Sequence, residues 1–427
     1  MSVSRTHTLA NENAKAALEN ARKDRTQPVL IAGGGIGGLA AAVALARRGI
    51  ASHVLERRAD FYEEGAGIQI GPNGTRILRL LGVANTLRPH VAVPESIRVR
   101  DGTTGDELAC LPLGRWIAAR HGSPYWVAHR SDLHNALLRA ARAEPLVALS
   151  LGFDVAEIAT DGQVVAVTST DGRAWTGKAL IAADGVWSTV RSLQFDQRVP
   201  RFFGKSAART VLAADAVPDT LRNLETGVWL FPGAHVVHYP ISNGRELALV
   251  AIVNDTHNDK AWNAPIPDNW VQQRVPPCTQ PLHDLLENAQ TWKRWTLHML
   301  PIPRTWSHGP VALLGDAAHP VLPFLAQGGV LALEDAAVLA DALHRFDTDV
   351  TGALAWYGRQ RHDRAAHVAA ASRRNGHIYH LSGPLAQARN LALRSISPQR
   401  LMARYDWLYG WRPYKPRRVN AFLRPCQ

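Results

Sequence analysis

Cysteine is scarce in this chain. Cys110, Cys278 and Cys426 are the only three among 427 residues, and no CxxC occurs. An odd, scattered set excludes a disulfide framework, offers no zinc-ligand spacing, and fits a reducing, cytoplasmic setting. Lysine is scarce too, so the net charge of +12 is almost wholly arginine. The arginines are scattered and no nucleic-acid motif accompanies them. That leaves anionic small molecules as the partners the charge favours, and no nucleic acid. Long hydrophobic runs are missing as well. The uncharged stretch Pro28 to Ala46 is broken by Gly33, Gly34, Gly35, Gly37 and Gly38, and its apolar start, Val29 to Ala32, is strand-sized. No integral membrane span is therefore expected. Apolar content of 46% and charged content of 20% are those of an ordinary globular chain with a large core.

What is present is patterned. Val29–Ala32 reads as a buried strand, Leu39–Arg48 as an Ala-rich helix stopped by Gly49, and His53–Glu56 as a second strand. This βαβ unit opens a parallel sheet. Gly33-x-Gly35-x-x-Gly38 joins strand to helix, with Ile36 inside it. The first glycine permits the tight turn, the second lets backbone approach a pyrophosphate, and the third lets helix and sheet pack closely. Glu56 ends the second strand, placed to accept hydrogen bonds from ribose hydroxyls. No second GxGxxG follows, so a nicotinamide cofactor would have to dock without its own unit of this kind. Further on, Arg130–Arg142 reads as an amphipathic helix. Residues 151–181 alternate apolar and polar around Asp161-Gly162 and Asp171-Gly172, the pattern of an antiparallel meander.

The most informative segment runs from Leu313 to Asp335. It reads as a short strand, a turn carrying Asp316, a Pro- and Gly-rich loop, and a helix. A carboxylate at a strand end can hold ribose or ribityl hydroxyls. Gly328 and Gly329 expose N–H groups at the positive end of a helix dipole, which suits the pyrimidine of a flavin that becomes anionic on reduction. Two such devices so far apart in sequence imply one extended cofactor, FAD, lying across the fold.

With these residues on the page, the chain resembles the class A FAD-dependent aromatic hydroxylases, among them salicylate hydroxylase, 3-hydroxybenzoate 6-hydroxylase and 6-hydroxynicotinate 3-monooxygenase. The resemblance spans roughly residues 28–412. It rests on Gly33–Gly38 with Glu56, on Gly65-Ala-Gly-Ile-Gln-Ile-Gly-Pro-Asn73, on His129-Arg-Ser-Asp-Leu133, on Ala183-Asp-Gly-Val-Trp-Ser188, and on Gly315-Asp-Ala-Ala-His-Pro320 through Gly328. It implies an α/β fold: a Rossmann-like FAD-binding domain (28–205 and 296–380), an inserted β-sheet substrate domain (206–295) and C-terminal helices (381–427), after a mobile extension (1–27). It also implies site residues. Glu56 would hold the adenosine ribose with Arg57 beside it, Arg130 would reach the FAD phosphate or ribityl region, and Gln69 would lie near the flavin. Val155 would offer backbone to adenine. Asp184 would serve FAD and NAD(P)H, Asp316 the ribityl chain, and Pro323 the flavin ring where oxygen reacts. Two departures stand out. The usual Gly-x-Gly reads Ala326-Gln327-Gly328, and the usual Asp-Arg before the 313 strand reads Leu300-Pro-Ile-Pro-Arg304.

The implied reaction uses NADH or NADPH and O2 to hydroxylate a small aromatic anion, a phenolic or N-heteroaromatic carboxylic acid, through a C4a-hydroperoxyflavin. A larger quinone-precursor or polyketide substrate remains an alternative, as does a flavoprotein reductase or redox sensor without oxygen insertion. Oligomeric state is open, a homodimer being possible. In His235-Val-Val-His-Tyr-Pro-Ile241, strand alternation puts His235 and Tyr239 on one face and His238 on the other. Electrophilic hydroxylation is favoured by removing a phenol proton, a task suited to an imidazole. The relatives share this His-x-x-x-Tyr spacing. His235 is the expected base and Tyr239 the positioning donor.

Overall fold

The computed structural model describes residues 27–62, 65–195, 197–259 and 263–413. The expected extension at 1–27 lies almost wholly outside the described residues, as does the end of the C-terminal segment. Val29–Ala32 is fully buried and sits inside a six-stranded sheet, between Ala179–Ala182 and Ser52–Leu55. Its unbroken apolar run is what a parallel strand covered on both faces requires. Val311–Leu313 lies beyond Ala179–Ala182, and Val147–Ser150 beyond Ser52–Leu55. The helix Ile36–Ala46 packs between this sheet and the helices Arg130–Ala143 and Gly328–Phe346. The expected meander forms from Val155–Thr160, Val165–Ser169 and Ala174–Gly177.

A second, eight-stranded sheet is almost entirely antiparallel. Its centre is Arg201–Ala213, Glu246–Asn254, Ala234–Ile241 and Glu225–Phe231, in that order. Lys293–Met299 flanks Arg201–Ala213 on one side. On the other side, Ser96–Asp101 pairs in parallel with Glu225–Phe231, and Glu107–Pro112 follows it. These two strands come from a stretch that the sequence reading kept with the first domain. Ser96–Asp101 alternates polar and apolar around Ile97 and Val99, but alternation does not name the distant strand with which it pairs. One face of the sheet buries Ala208, Leu212, Val236, Leu249 and Ala251 against the helix Gln280–Asn288. The other face meets Leu322 and Phe324 and a small sheet made by Gly67–Ile70, Trp126–His129 and Val91–Ala92.

Two long helices close the structure, Gly328–Phe346 and Val350–Tyr379. They are locked by a buried ion cluster. Arg361 donates from Nε to Asp335 (2.6 Å) and from Nη2 to Glu334 (2.9 Å), with all three side chains fully buried. Arg364 Nη2 also donates to Glu334 (2.9 Å). Burial alone would push both carboxyls up. The charges of His319 and Arg361 instead hold Asp335 down to about 2, and Arg364 and Arg361 hold Glu334 below its usual range. Removing one member strands the others in a dry interior. Arg361→Met should therefore cost roughly 3–5 kcal/mol. Arg345→Ala, which loses an i,i+4 pair in which the arginine is exposed and the buried Asp341 keeps Arg48 at 3.3 Å, should cost less than about 1 kcal/mol. Urea titration of both variants is the check.

Candidate functional site

The glycine loop is shaped as its sequence demands. Gly33 takes φ +107°, and a Cβ there would lie 2.5 Å from the Ala183 carbonyl oxygen. A Cβ at Gly38 would lie 1.9 Å from the Gly33 carbonyl oxygen. Gly35 differs, for a Cβ there would meet nothing within 4 Å. The backbone is thus exposed on the side where a phosphate could approach. Glu56 bends back over the loop: Gly34 N–H donates to its Oε2 (2.6 Å) and Arg58 N–H to its Oε1 (3.0 Å). His134 Nε2 lies 2.8 Å from the Gly34 carbonyl oxygen. A small cleft there is lined by Gly34, Gly35, Glu56, Phe61 and His134. Arg57 is exposed beside it. Phe153 N–H donates to the Glu56 carbonyl (2.9 Å), which sets the start of the meander, and with it Val155, close to the same strand end.

Asp184 follows Ala183, which touches Gly33. Its Oδ2 accepts from Val190 N–H (3.1 Å), its Oδ1 is buried with no partner among the described residues, and burial pushes its carboxyl up. Arg130 opens its helix, and its aliphatic stem lies against Gly65. Gln69 accepts from Tyr125 Oη–H (2.6 Å) on the neighbouring strand.

The second device folds around the start of Gly328–Phe346. Asp335, on that helix, accepts from Gly315 N–H (3.0 Å) and lies 2.5 Å from His319 Nε2, fixing the turn that carries Asp316. A Cβ at Gly328 would point toward Asp316, and one at Gly329 toward Ile68, beside Gln69. Asn73 donates to both Gln327 (2.9 Å) and Glu334 (2.8 Å), tying the Gly-Pro-Asn turn to the same helix start. Neither Ile36–Ala46 nor Gly328–Phe346 has a capping side chain or an acidic residue in its first turn. Two helix starts with unclaimed N–H groups, joined by Glu56, Asp184 and Asp316, fit an extended dinucleotide with anionic groups along its length. Ala326 is held at φ +51°, a conformation that costs a non-glycine residue about 1–2 kcal/mol.

The strand Ala234–Ile241 lies across from this loop. Phe324, next to Pro323, packs on His235 with ring centres 5.6 Å apart. Tyr239 covers Gly67, close to Gln69. His238 turns the other way, over Gly227 and Trp229. His235 has a partner that sequence reasoning missed: its Nδ1 lies 2.8 Å from Nε2 of His380, just past the end of the helix Val350–Tyr379. Burial, with His380 and Lys205 adding, holds His235 well below its ordinary value, and burial pushes Tyr239 up to about 12. Both are neutral near pH 7. Tyr125, with Tyr409 edge-on to its ring at 6.1 Å, and His134 were also missed. The pairs His283–Asp284 and His362–Asp363 each include an exposed member. Arg304, in the stretch that departs from the family pattern, lines a cleft of about 440 Å³ with Arg198, Phe195 and Ile302.

Known proteins resemble the chain over most of its length. The FAD binding domain family matches residues 26–372. The 3-hydroxybenzoate 6-hydroxylase of Polaromonas naphthalenivorans is 36% identical over 385 residues, covering 90% of this chain and 96% of that enzyme. Among solved structures, HpxO of Klebsiella pneumoniae complexed with FAD and uric acid superposes with a TM-score of 0.78 at 27% identity, over 88% of this chain and 95% of that one. A salicylate hydroxylase substrate complex shares the fold with a TM-score of 0.78 at 24% identity, over 91% of this chain and 96% of that one.

The contrast between Gly35 and Gly38 is testable. Gly35→Ala should leave the melting temperature unchanged while weakening FAD retention about 10- to 100-fold, since a methyl would displace hydrogen bonds to a charged group. Gly38→Ala should destabilise the apoprotein itself. Thermal melts with and without added FAD separate the two.

Proposed function

The chain belongs to the FAD binding domain family, and from that premise we propose that its substrate is a small phenolic or N-heteroaromatic carboxylic acid. It is an FAD-dependent aromatic-ring monooxygenase. The overall reaction consumes the aromatic compound, O2, NAD(P)H and a proton, and yields the hydroxylated ring, NAD(P)+ and water. Bound FAD supplies the redox chemistry, accepting hydride and activating oxygen. The described residues include no helix long and apolar enough to cross a membrane.

The observation that carries the substrate reading is that His235 and Tyr239 lie on one face of their strand, His235 against Phe324 beside Pro323 and Tyr239 over Gly67 near Gln69. In this reading His235 receives the phenol proton. Burial keeps it neutral and so able to accept. Tyr239 stays protonated and donates a hydrogen bond that orients the substrate. Phe324 and the neighbouring tyrosines exclude water. On the cofactor side, Glu56 with Arg57 would hold the adenosine ribose, Gly33, Gly35, Ile36 and Gly38 the pyrophosphate, Val155 the adenine, and Arg130 the phosphate or ribityl region. Asp316 would take the ribityl hydroxyls, and Gly328 and Gly329 the flavin pyrimidine, with Gln69 and Pro323 near the ring. Asp184, with one carboxylate oxygen lacking a partner, would serve FAD and the incoming nicotinamide.

The acid limb of the kcat/KM profile should reflect His235. Because its value is lowered, activity should hold as pH falls through 6.5 and fail only below it. His235→Gln should lower kcat by about 10²- to 10⁴-fold and abolish that limb, while hydride transfer from NAD(P)H persists. Rate–pH profiles with 3-hydroxybenzoate and salicylate, with product masses recorded, make the test. Full turnover by His235→Gln would remove the histidine from the chemistry.

A further inference from the structure

The face of the second sheet that holds His235 and Tyr239 also holds a cation without an anion. Arg209 lies within Arg201–Ala213, directly across from Val250, which in turn lies across from Val237. Side chains in one cross-strand row point the same way, so Arg209 shares the face of His235, Val237 and Tyr239. Its neighbours on that face settle where it sits. Ala207 packs with Ile252, Leu322 and Phe324, near the Pro323 loop, whereas Val211 packs against the cluster of Tyr239 and Tyr125. Arg209 falls between the two. It is two strands from Val237, about 10 Å across the sheet, so a guanidinium reaching over Val250 can meet a ligand that also touches Tyr239.

The surroundings do not neutralise it. The guanidinium carbon stacks over the Trp295 ring at 4.6 Å, and its Nε is buried with no hydrogen-bond partner among the described residues. Its charged surroundings comprise Tyr239, neutral near pH 7, and Arg130, which repels it. Burial lowers its value to about 10, which still leaves it protonated at neutral pH. Other withdrawn arginines are answered. Arg361 has Glu334 and Asp335, Arg294 has Asp255 and Asp259, and Arg191 has the carbonyls of Ala317 and Val186. A buried guanidinium is held at net advantage when its donors are matched, and a planar carboxylate matches two of them at once. Stacking on an indole compensates the charge only in part.

We propose that Arg209 is the specificity-determining residue of the substrate pocket, receiving the carboxylate of the aromatic acid as a paired ion beside Tyr239. The inference rests on the reading that the substrate is an aromatic acid. It adds an orientation: the carboxylate end lies at Arg209, and the ring hydroxyl is left toward His235.

The experiment compares 3-hydroxybenzoate with 3-hydroxybenzamide, its uncharged counterpart, on the FAD-loaded native protein, Arg209→Gln and Arg209→Lys. Binding is read from perturbation of the flavin absorption spectrum, and turnover from NAD(P)H oxidation; salicylate and salicylamide provide a second pair. The native protein should bind acid far more tightly than amide. Arg209→Gln should raise Kd and KM for the acid about 30- to 1000-fold, with the amide changed less than about threefold and FAD retention intact. Arg209→Lys should recover part of the acid affinity. An acid-to-amide ratio preserved in Arg209→Gln overturns the proposal, as does loss of FAD in place of loss of acid, which would assign the cation to the cofactor. If Arg209→Gln fails to fold, the native ratio and Arg209→Lys decide, and a native protein without preference for the acid overturns it. Failure of the parent reading looks different, since the native protein would then neither bind nor hydroxylate either acid.

Discussion

Asp335 and Arg361 meet where no water reaches, and the geometry of the flavin-facing loop is built outward from that contact. Asp335 also fixes Gly315 and His319, and thereby the turn bearing Asp316. Its neighbour Glu334 binds Arg361 and Arg364, and takes one hydrogen bond from Asn73, which reaches on to Gln327 at the start of the helix. Strand end, glycine-rich helix start and Gly-Pro-Asn turn thus share one set of charges. Such a network is favourable only while its members are matched, because the desolvation of each ion is large. The same condition makes it a precise positioning device, since slippage of any one segment would leave a charge unanswered.

Electrostatics divide the interior. Around the ion cluster, charges are buried and paired. Around His235 and the half-buried His380 the rings are neutral, since desolvation, with Lys205 adding, lowers the imidazoles, while desolvation raises the phenol of Tyr239. Neutral donors and acceptors of this kind let a proton move without first breaking a salt bridge. They also leave a buried charge such as that of Arg209 conspicuous to an ionic ligand.

The cofactor half of the molecule was legible because its constraints are local. Gly33, Gly38 and Glu56 lie within one βαβ unit, and their spacing states their geometry. The facing of His235 and Tyr239 could also be read, since alternation along one strand decides it. What could not be read depends on residues distant in sequence. His380 lies 145 positions from His235 with no motif around it. Arg209 is recognisable only through the absence of an acid across two strands, and Arg361 only through a cluster spanning two helices. Glu334-Asp335 inside the otherwise apolar stretch from Gly328 to Ala340 was the available hint that buried cations would be found opposite. Ser96–Asp101 and Glu107–Pro112 were assigned by proximity in sequence, whereas hydrogen bonding joins them to the second sheet.

That last pairing bears on how such enzymes diversify. The sheet behind the substrate pocket is woven from separate lengths of chain, one lying before the Asp184 motif and the others after it. Transplanting residues 201–299 alone from a relative would bring new strands to an old neighbour, with Glu225–Phe231 obliged to pair with a foreign Ser96–Asp101. Recombination that preserves the pocket wall must exchange both lengths together. Point substitution on the flavin-facing rows is the route that leaves the weave intact.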